Sequence, residues 1–290
     1  MSGASGAPAG AARGYTAVGH VTIDVMPDGS RRAGGAAFYS ALQAARLGLR
    51  ARVLTQGRPS EIEAALEPYR GELELDILAA PRTTTLAGTG SGSERKQRVL
   101  AWAGPMPEDL ELDDDILHLA PVARECPRSW RGRSRFVGLT PQGLLRTWRA
   151  EGDEFSLQAP ADVGDLARRA DAIVVSEHER SSCAALLTDA RRAGAVVAVT
   201  AGRRPCTLLP PKGAAIELPV PPVAGVLDDL GAGDVFAAAF FIALAGGRSP
   251  VAAASFANAA AAVRVRGEGA GAIGDRASIE GRMRESAAGD

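Results

Sequence analysis

Short apolar runs alternate with longer amphipathic stretches along most of this chain. Residues 116–120, 136–139, 172–176 and 195–200 are continuous apolar runs of four to six residues. That is the pattern of strands buried on both faces of a parallel sheet. Residues 15–24 read as a strand that delivers Asp24, 51–55 and 99–102 as further strands, and 73–78 alternates as a strand does. Between them lie helical patterns at 60–69, 161–169, 179–193 and 235–244. Ser60 is placed as a helix N-cap with Glu63 three residues on, a capping-box spacing. Gly246-Gly247 stops the apolar helix before it. The alternation predicts an α/β fold, a doubly wound and mostly parallel three-layer sheet with its sites at the C-terminal strand ends. No internal repeat interrupts it.

Composition narrows the class. At 290 residues the chain can bury one large α/β core with a small lid. It is 46% apolar with a net charge of −1, which excludes a nucleic-acid footprint. Its densest basic cluster, Arg124, Arg128, Arg131, Arg133 and Arg135, reads as a solvated loop. Cys126, Cys183 and Cys206 show no metal-ligand spacing, and an odd count suits a reducing, cytoplasmic compartment. No apolar run reaches membrane-spanning length and no signal peptide is visible. Residues 1–13, rich in Gly, Ala and Ser, are expected to be a disordered tail, and 281–290 a second tail.

Two glycine turns carry the chemistry. Gly231-Ala232-Gly233-Asp234 opens an apolar helix. Bare N–H groups and the positive dipole end at such a start favour a phosphate or a developing oxyanion. Asp234 has two readings: a helix cap, or a base beside an anion hole, which the helix dipole keeps ionised and which is worth roughly 10²–10⁴-fold in rate. The second turn, Gly34-Gly35, also opens a helix, which ends at Gly48.

In these features the chain resembles the ribokinase (PfkB) carbohydrate kinase family. Residues 228–234 resemble its Asp-Thr-x-Gly-Ala-Gly-Asp signature, and Gly34-Gly35 through Ala45-Arg46-Leu47-Gly48 its N-terminal signature. The resemblance covers most of residues 14–280 and implies a ribokinase-like domain there, with a small β lid from parts of 15–32 and 82–104. It implies that Asp234 is the catalytic base and that Gly231, Ala232 and Gly233 form the anion hole for the transferring phosphoryl group. Asp24, Gly34 and Gly35 correspond to the polyol-binding positions, and Tyr39 stands where the family has Asn. Glu179 corresponds to the acid that organises Mg²⁺, with Ser176 in place of an amide. Thr200 and Gly202 correspond to the start of the nucleotide loop, in which Pro205 replaces a glycine. Asn258 and Gly269 lie in the segment resembling the adenine wall.

The stretch 138–146 resembles the myo-inositol-kinase-like branch, which adds Gln142 and Arg146 to the acceptor pocket. The implied activity is ATP- and Mg²⁺-dependent phosphotransfer to a sugar or cyclitol hydroxyl, with myo-inositol the first candidate. A monovalent cation is a possible further requirement, and a homodimer through the lid a possible assembly. Nucleoside kinase is the alternative acceptor class. A non-catalytic ribokinase-like binding or regulatory protein is the alternative from another class, favoured by Ser176, Pro205 and Leu230. A dinucleotide-binding enzyme is a weak third, because Gly231-Ala232-Gly233 lacks the wider glycine spacing.

Overall fold

The computed structural model describes residues 14–90, 95–161 and 163–288; the tail expected at 1–13 lies outside them. In chain order the first half comprises β1 (Gly14–Val18), β2 (Thr22–Val25), β3 (Arg31–Gly34), α1 (Ala36–Arg46), β4 (Arg50–Gly57), α2 (Pro59–Leu66), β5 (Glu74–Ala79), β6 (Thr85–Thr89), β7 (Lys96–Ala101), β8 (Leu110–Glu111), β9 (Ile116–Leu119), β10 (Trp130–Arg131) and β11 (Phe136–Leu139). There follow α3 (Gln142–Leu145), β12 (Arg146–Thr147), β13 (Ser156–Leu157), α4 (Gly164–Arg169), β14 (Ala172–Ser176), α5 (Glu177–Arg180), α6 (Ala184–Ala193), β15 (Val196–Ala201), β16 (Arg204–Leu209), β17 (Ile216–Leu218), α7 (Ala232–Ala245), α8 (Pro250–Arg264) and α9 (Arg276–Ala288).

Nine strands form the central sheet in the order β17-β16-β15-β14-β11-β9-β1-β4-β5. Pairing is parallel from β15 to β5, and antiparallel at the β15–β16 and β16–β17 edge. Side chains alternate between two apolar layers, as strand geometry requires. Ala172 and Val174 enter the core shared with α1, α7 and α8, while Ile173 and Val175 enter the opposite core with α4 and α6. Helix α7 is buried from Val235 to Ala243, which explains its apolar character on every side. This is the doubly wound architecture that the apolar runs predict.

The lid is a separate sheet, β3-β2-β6-β7. The strand expected over 15–24 is in fact two. β1 stays in the central sheet, the chain breaks at Gly19–Val21, and β2 carries Asp24 into the lid. The small sheet is thus built from Thr22–Val25, Arg31–Gly34, Thr85–Thr89 and Lys96–Ala101, while residues 15–18 stay in the central sheet. The free edge of β7 is covered by a strap after β12: the Gly152 amide donates to Val99 O at 2.6 Å and the Phe155 amide to Gln97 O at 3.0 Å. Such coverage removes an open strand edge. Trp148 on the strap meets Trp102 and Phe155, each edge to face at 5.5 Å.

Other expectations shift at boundaries. Helix α2 is capped at Arg58 with Pro59 in its first turn and no side-chain cap, so Ser60 lies inside the helix. Proline pre-sets the first turn and moves the start. The stretch 179–193 splits into α5 and α6. The tail expected at 281–290 is helical to Ala288, because Ile279 packs into the main core.

Candidate active site

The turn before α7 is held from beneath. Gly231 is its N-cap in the left-handed region (φ 78°). Asp228 accepts from the Leu230 amide through Oδ1 and from the Gly269 amide through Oδ2, each at 2.9 Å. Arg264 of α8, fully buried, donates to Asp228 Oδ2 at 3.0 Å, to Leu230 O at 2.6 Å and to Gly267 O at 3.0 Å. Burial pushes the Asp228 carboxyl up, but the two amides and Arg264 outweigh it and hold it below the usual range. The Ala232 amide is spent inside the turn, on Asp229 O at 3.2 Å. Among the described residues the amides of Gly233 and Asp234 donate to no backbone acceptor. The amides of Gly233 and Asp234 are thus open at this helix start, while that of Ala232 also contacts Asp229 O.

A cavity of about 200 Å³ lies against this turn, walled by Asp24, Gly35, Tyr39, Gln97, Gln142, Arg146, Gly231, Gly233 and Asp234, with Arg95 and Asp229 at its rim. Asp24 is buried and accepts from the Thr22 hydroxyl at 2.7 Å. Burial pushes its carboxyl up to about 6, against the pull of Thr22, Arg146 and Arg95. A Cβ on Gly34 would stand 2.2 Å from Asp24 Oδ2, and one on Gly35 2.2 Å from His20 O. The di-glycine therefore makes room for the chain's own residues His20, Thr22 and Asp24.

Asp234 sits under the protein surface with part of its side chain open to the cavity. Burial pushes its carboxyl up to about 7, with Glu179 and Asp24 adding to the shift and Arg146 opposing it. Burial thus works against the helix-dipole stabilisation of an ionised Asp234 that the sequence suggests. Arg146 is buried, donates to Val122 O at 2.9 Å and to Gln97 Oε1 at 2.5 Å, and stacks 4.6 Å over the Phe155 ring. Ser40 of α1 donates to Asp234 O at 3.2 Å, tying the two glycine-headed helices together.

The residues assigned to nucleotide and metal lie outside that cavity, near the C-terminal ends of β14 and β15 and along α8. The Thr200 hydroxyl donates to Val175 O at 3.5 Å. Gly202 (φ 63°) turns the chain into β16. Asn258 is buried and its amide donates to Pro219 O at 3.2 Å. Gly269, also at positive φ, gives its N–H to Asp228. Glu179 accepts from the Ser176 amide at 3.0 Å and hydroxyl at 2.7 Å, a complete capping box. Among the described residues no three metal-ligating side chains converge. Mg²⁺ carried on donor phosphates commonly needs only one or two carboxylates, and Glu179, coupled electrostatically to Asp234, fits that mode with its second oxygen.

Sequence reading placed Arg95 and Gln97 in the lid and substrate region and Asp229 in the signature without a role of its own, and it passed over Arg264. Read letter by letter against the signature, the threonine position is Asp229, not Leu230. Arg264 had a visible signal, a charge inside the small-residue helix 257–264.

The sequence profile of the pfkB family carbohydrate kinase matches residues 156–275. Solved structures share the fold. A pyrophosphate-dependent kinase of the ribokinase family, in complex with sulfate, is 21% identical with TM-score 0.73, covering 92% of this chain and 99% of that one. Arabidopsis thaliana ribokinase, complexed with ribose and ATP, is 19% identical with TM-score 0.71, covering 94% and 99%. The Methanocaldococcus jannaschii nucleoside kinase is 17% identical with TM-score 0.71, covering 95% and 100%. No curated protein sequence matches the chain. The fold is that of ribokinase-family kinases. Residues 156–275 of the chain are similar to the pfkB family carbohydrate kinases.

Proposed function

We propose that the chain transfers a phosphoryl group from ATP to a hydroxyl of a small sugar or cyclitol, with myo-inositol the first candidate. The observation that carries this reading is the shared cavity: the lid carboxylate Asp24 and the helix-start carboxylate Asp234, with the open amides beside it, face one space of about 200 Å³. That is below the usual range for drug-sized ligands, roughly 300–1,000 Å³, and favours a monosaccharide-sized acceptor over a nucleoside.

In this reading Asp24 accepts from acceptor hydroxyls, a charge-assisted contact. Asp234 takes the proton of the attacking hydroxyl, and the amides of Gly233 and Asp234 hold charge on the phosphoryl oxygens. Gln142, Gln97 and Arg146 position the acceptor, and Tyr39 closes the pocket floor. Thr200, Gly202, Asn258 and Gly269 border the nucleotide. Glu179, together with the donor phosphates, would hold Mg²⁺, which would supply neutralisation of the donor charge. The lid excludes water and serves a cytoplasmic homodimer.

The test is a panel of ribose, fructose, nucleosides and inositols with ATP and Mg²⁺, with pyrophosphate as a parallel donor because one fold neighbour uses it. Product formation from myo-inositol and ATP is expected. Preference for ribose or a nucleoside removes the inositol assignment. Nucleotide binding without turnover across the panel favours a regulatory protein instead. Light scattering reports the dimer.

A further inference from the structure

Asp229 lies two residues before Gly231, in the turn that heads the anion hole. Its carboxylate forms an ion pair with Arg95, which immediately precedes lid strand β7. Both side chains are about three-quarters buried, 23% and 24% exposed, and both line the cavity shared by Gly233 and Asp234. Arg95 also acts electrostatically on Asp24. One lid cation thus faces the acceptor-side carboxylate and the donor-side turn together.

A carboxylate beside an anion-binding turn works against an anionic donor, because like charges in a partly desolvated site repel strongly. We propose that Arg95 and Asp229 form an electrostatic interlock, in which Asp229 weakens donor binding unless the lid brings Arg95 onto it. Firm binding of the donor phosphates then requires the lid to be seated. A seated lid also places Asp24 in the pocket wall. Arg95 is a positioning residue in this account, acting through Asp229. The interlock rests on the phosphotransfer reading above, and it disfavours transfer to water from an open site.

A simple latch and an interlock differ in a charge-compensation experiment. Calorimetry with a non-hydrolysable ATP analogue, and separately with pyrophosphate, gives the donor Kd without turnover. Arg95→Ala is expected to weaken donor binding by about tenfold or more. Asp229→Asn is expected not to weaken it. The Arg95→Ala/Asp229→Asn double variant is expected to return to within about twofold of the unaltered protein. Arg95→Lys, which keeps the charge, guards against a folding artefact and is expected to stay close to the unaltered protein. A mere latch gives the reverse: Asp229→Asn as weak as Arg95→Ala, and no recovery in the double variant. That pattern overturns the interlock, as does failure of the unaltered protein to bind either donor. Donor binding with the expected recovery, but no turnover of any polyol, upholds the interlock and sinks only the kinase reading.

Discussion

The ring of Tyr39 occupies the space into which a side chain at Gly231 would project: a Cβ there would stand 2.3 Å from Tyr39 Cδ1. The two glycine motifs are therefore in direct contact, one supplying the ring and the other the left-handed turn that admits it. Tyr39 is buried against Phe38 and under the Arg264 guanidinium, 5.7 Å from the ring centroid.

Gly231→Ala meets two penalties, a positive φ and a collision with a packed ring. The strain and overpacking are expected to cost about 2–4 kcal/mol and to lower phosphotransfer by at least about tenfold, since the amides of Gly233 and Asp234 move with the turn. Tyr39→Ala combined with Gly231→Ala relieves the collision but leaves the φ strain. Denaturant melts of the two single variants and the pair are expected to show recovery that is partial. Full recovery sinks the strain argument.

Arg264 is a buried charge whose hydrogen-bond acceptors, Gly267 O apart, belong to the turn. Removing one member of such a pair typically costs about 3–5 kcal/mol, because the other charge is left buried without it. Arg264→Ala is expected to lose that much by urea denaturation and to lower donor affinity through a loosened Asp228–Leu230 turn. Asp228→Asn keeps the shape, removes the charge that Arg264 faces, and is expected to fall between the two. An Arg264→Ala variant as stable as the parent contradicts the hub role.

Asp234 titrates near neutrality with its ionised form disfavoured by folding. A carboxyl whose folded pKa exceeds its unfolded one adds stability below the unfolded pKa and loses it as pH rises through the folded one. Asp234→Asn is therefore expected to raise Tm at pH 8, with the advantage fading as pH falls toward 4. Its turnover is expected to fall about 10²-fold or more while nucleotide binding persists. A Tm difference that is the same at pH 4 and pH 8 contradicts the raised pKa. Near-full activity removes the base assignment.

The layout of the sheet was legible because parallel strands must be apolar on both faces, so 116–120, 136–139 and 172–176 announce themselves as runs. Asp234 stood out as an acid at a glycine-rich helix start, and Asp24, Gly34 and Gly35 through the family resemblance; the structure gathers Asp24, Gly35 and Asp234 around one cavity. The break between β1 and β2 was not legible, because the two read as one apolar stretch and only the hydrogen-bond pairing separates them. Arg95–Asp229 and Arg264–Asp228 join residues 134 and 36 positions apart. Neither an ion pair of that range nor the desolvation of Asp234 leaves a mark in local pattern. The contact of the Ala232 amide with Asp229 O inside the turn is likewise invisible in the letters of the motif.

Arg146 provides the sharpest test of how the pocket sets the charge of its base. It is buried, and burial lowers its own pKa, while Glu179, Asp234, Glu125 and Asp24 raise it. In return its charge pulls Asp234 and Asp24 down. Arg146→Met keeps the apolar stem against Phe155 and removes that pull, so both carboxyls titrate higher. For a base that must be ionised, activity falls as pH drops through its pKa. The acid limb of kcat against pH is expected near 7 in the unaltered protein, and about one unit or more higher in Arg146→Met. Acceptor KM is expected to rise as well, since Arg146 lines the pocket, but a pure binding loss leaves the position of the limb in kcat unchanged. Gln97→Leu, which removes the partner of Arg146 at 2.5 Å without removing its charge, separates the two: KM is expected to rise with the limb in place. An unmoved limb in Arg146→Met means that Asp234 does not depend on Arg146 for its charge, and the coupled pocket is wrong.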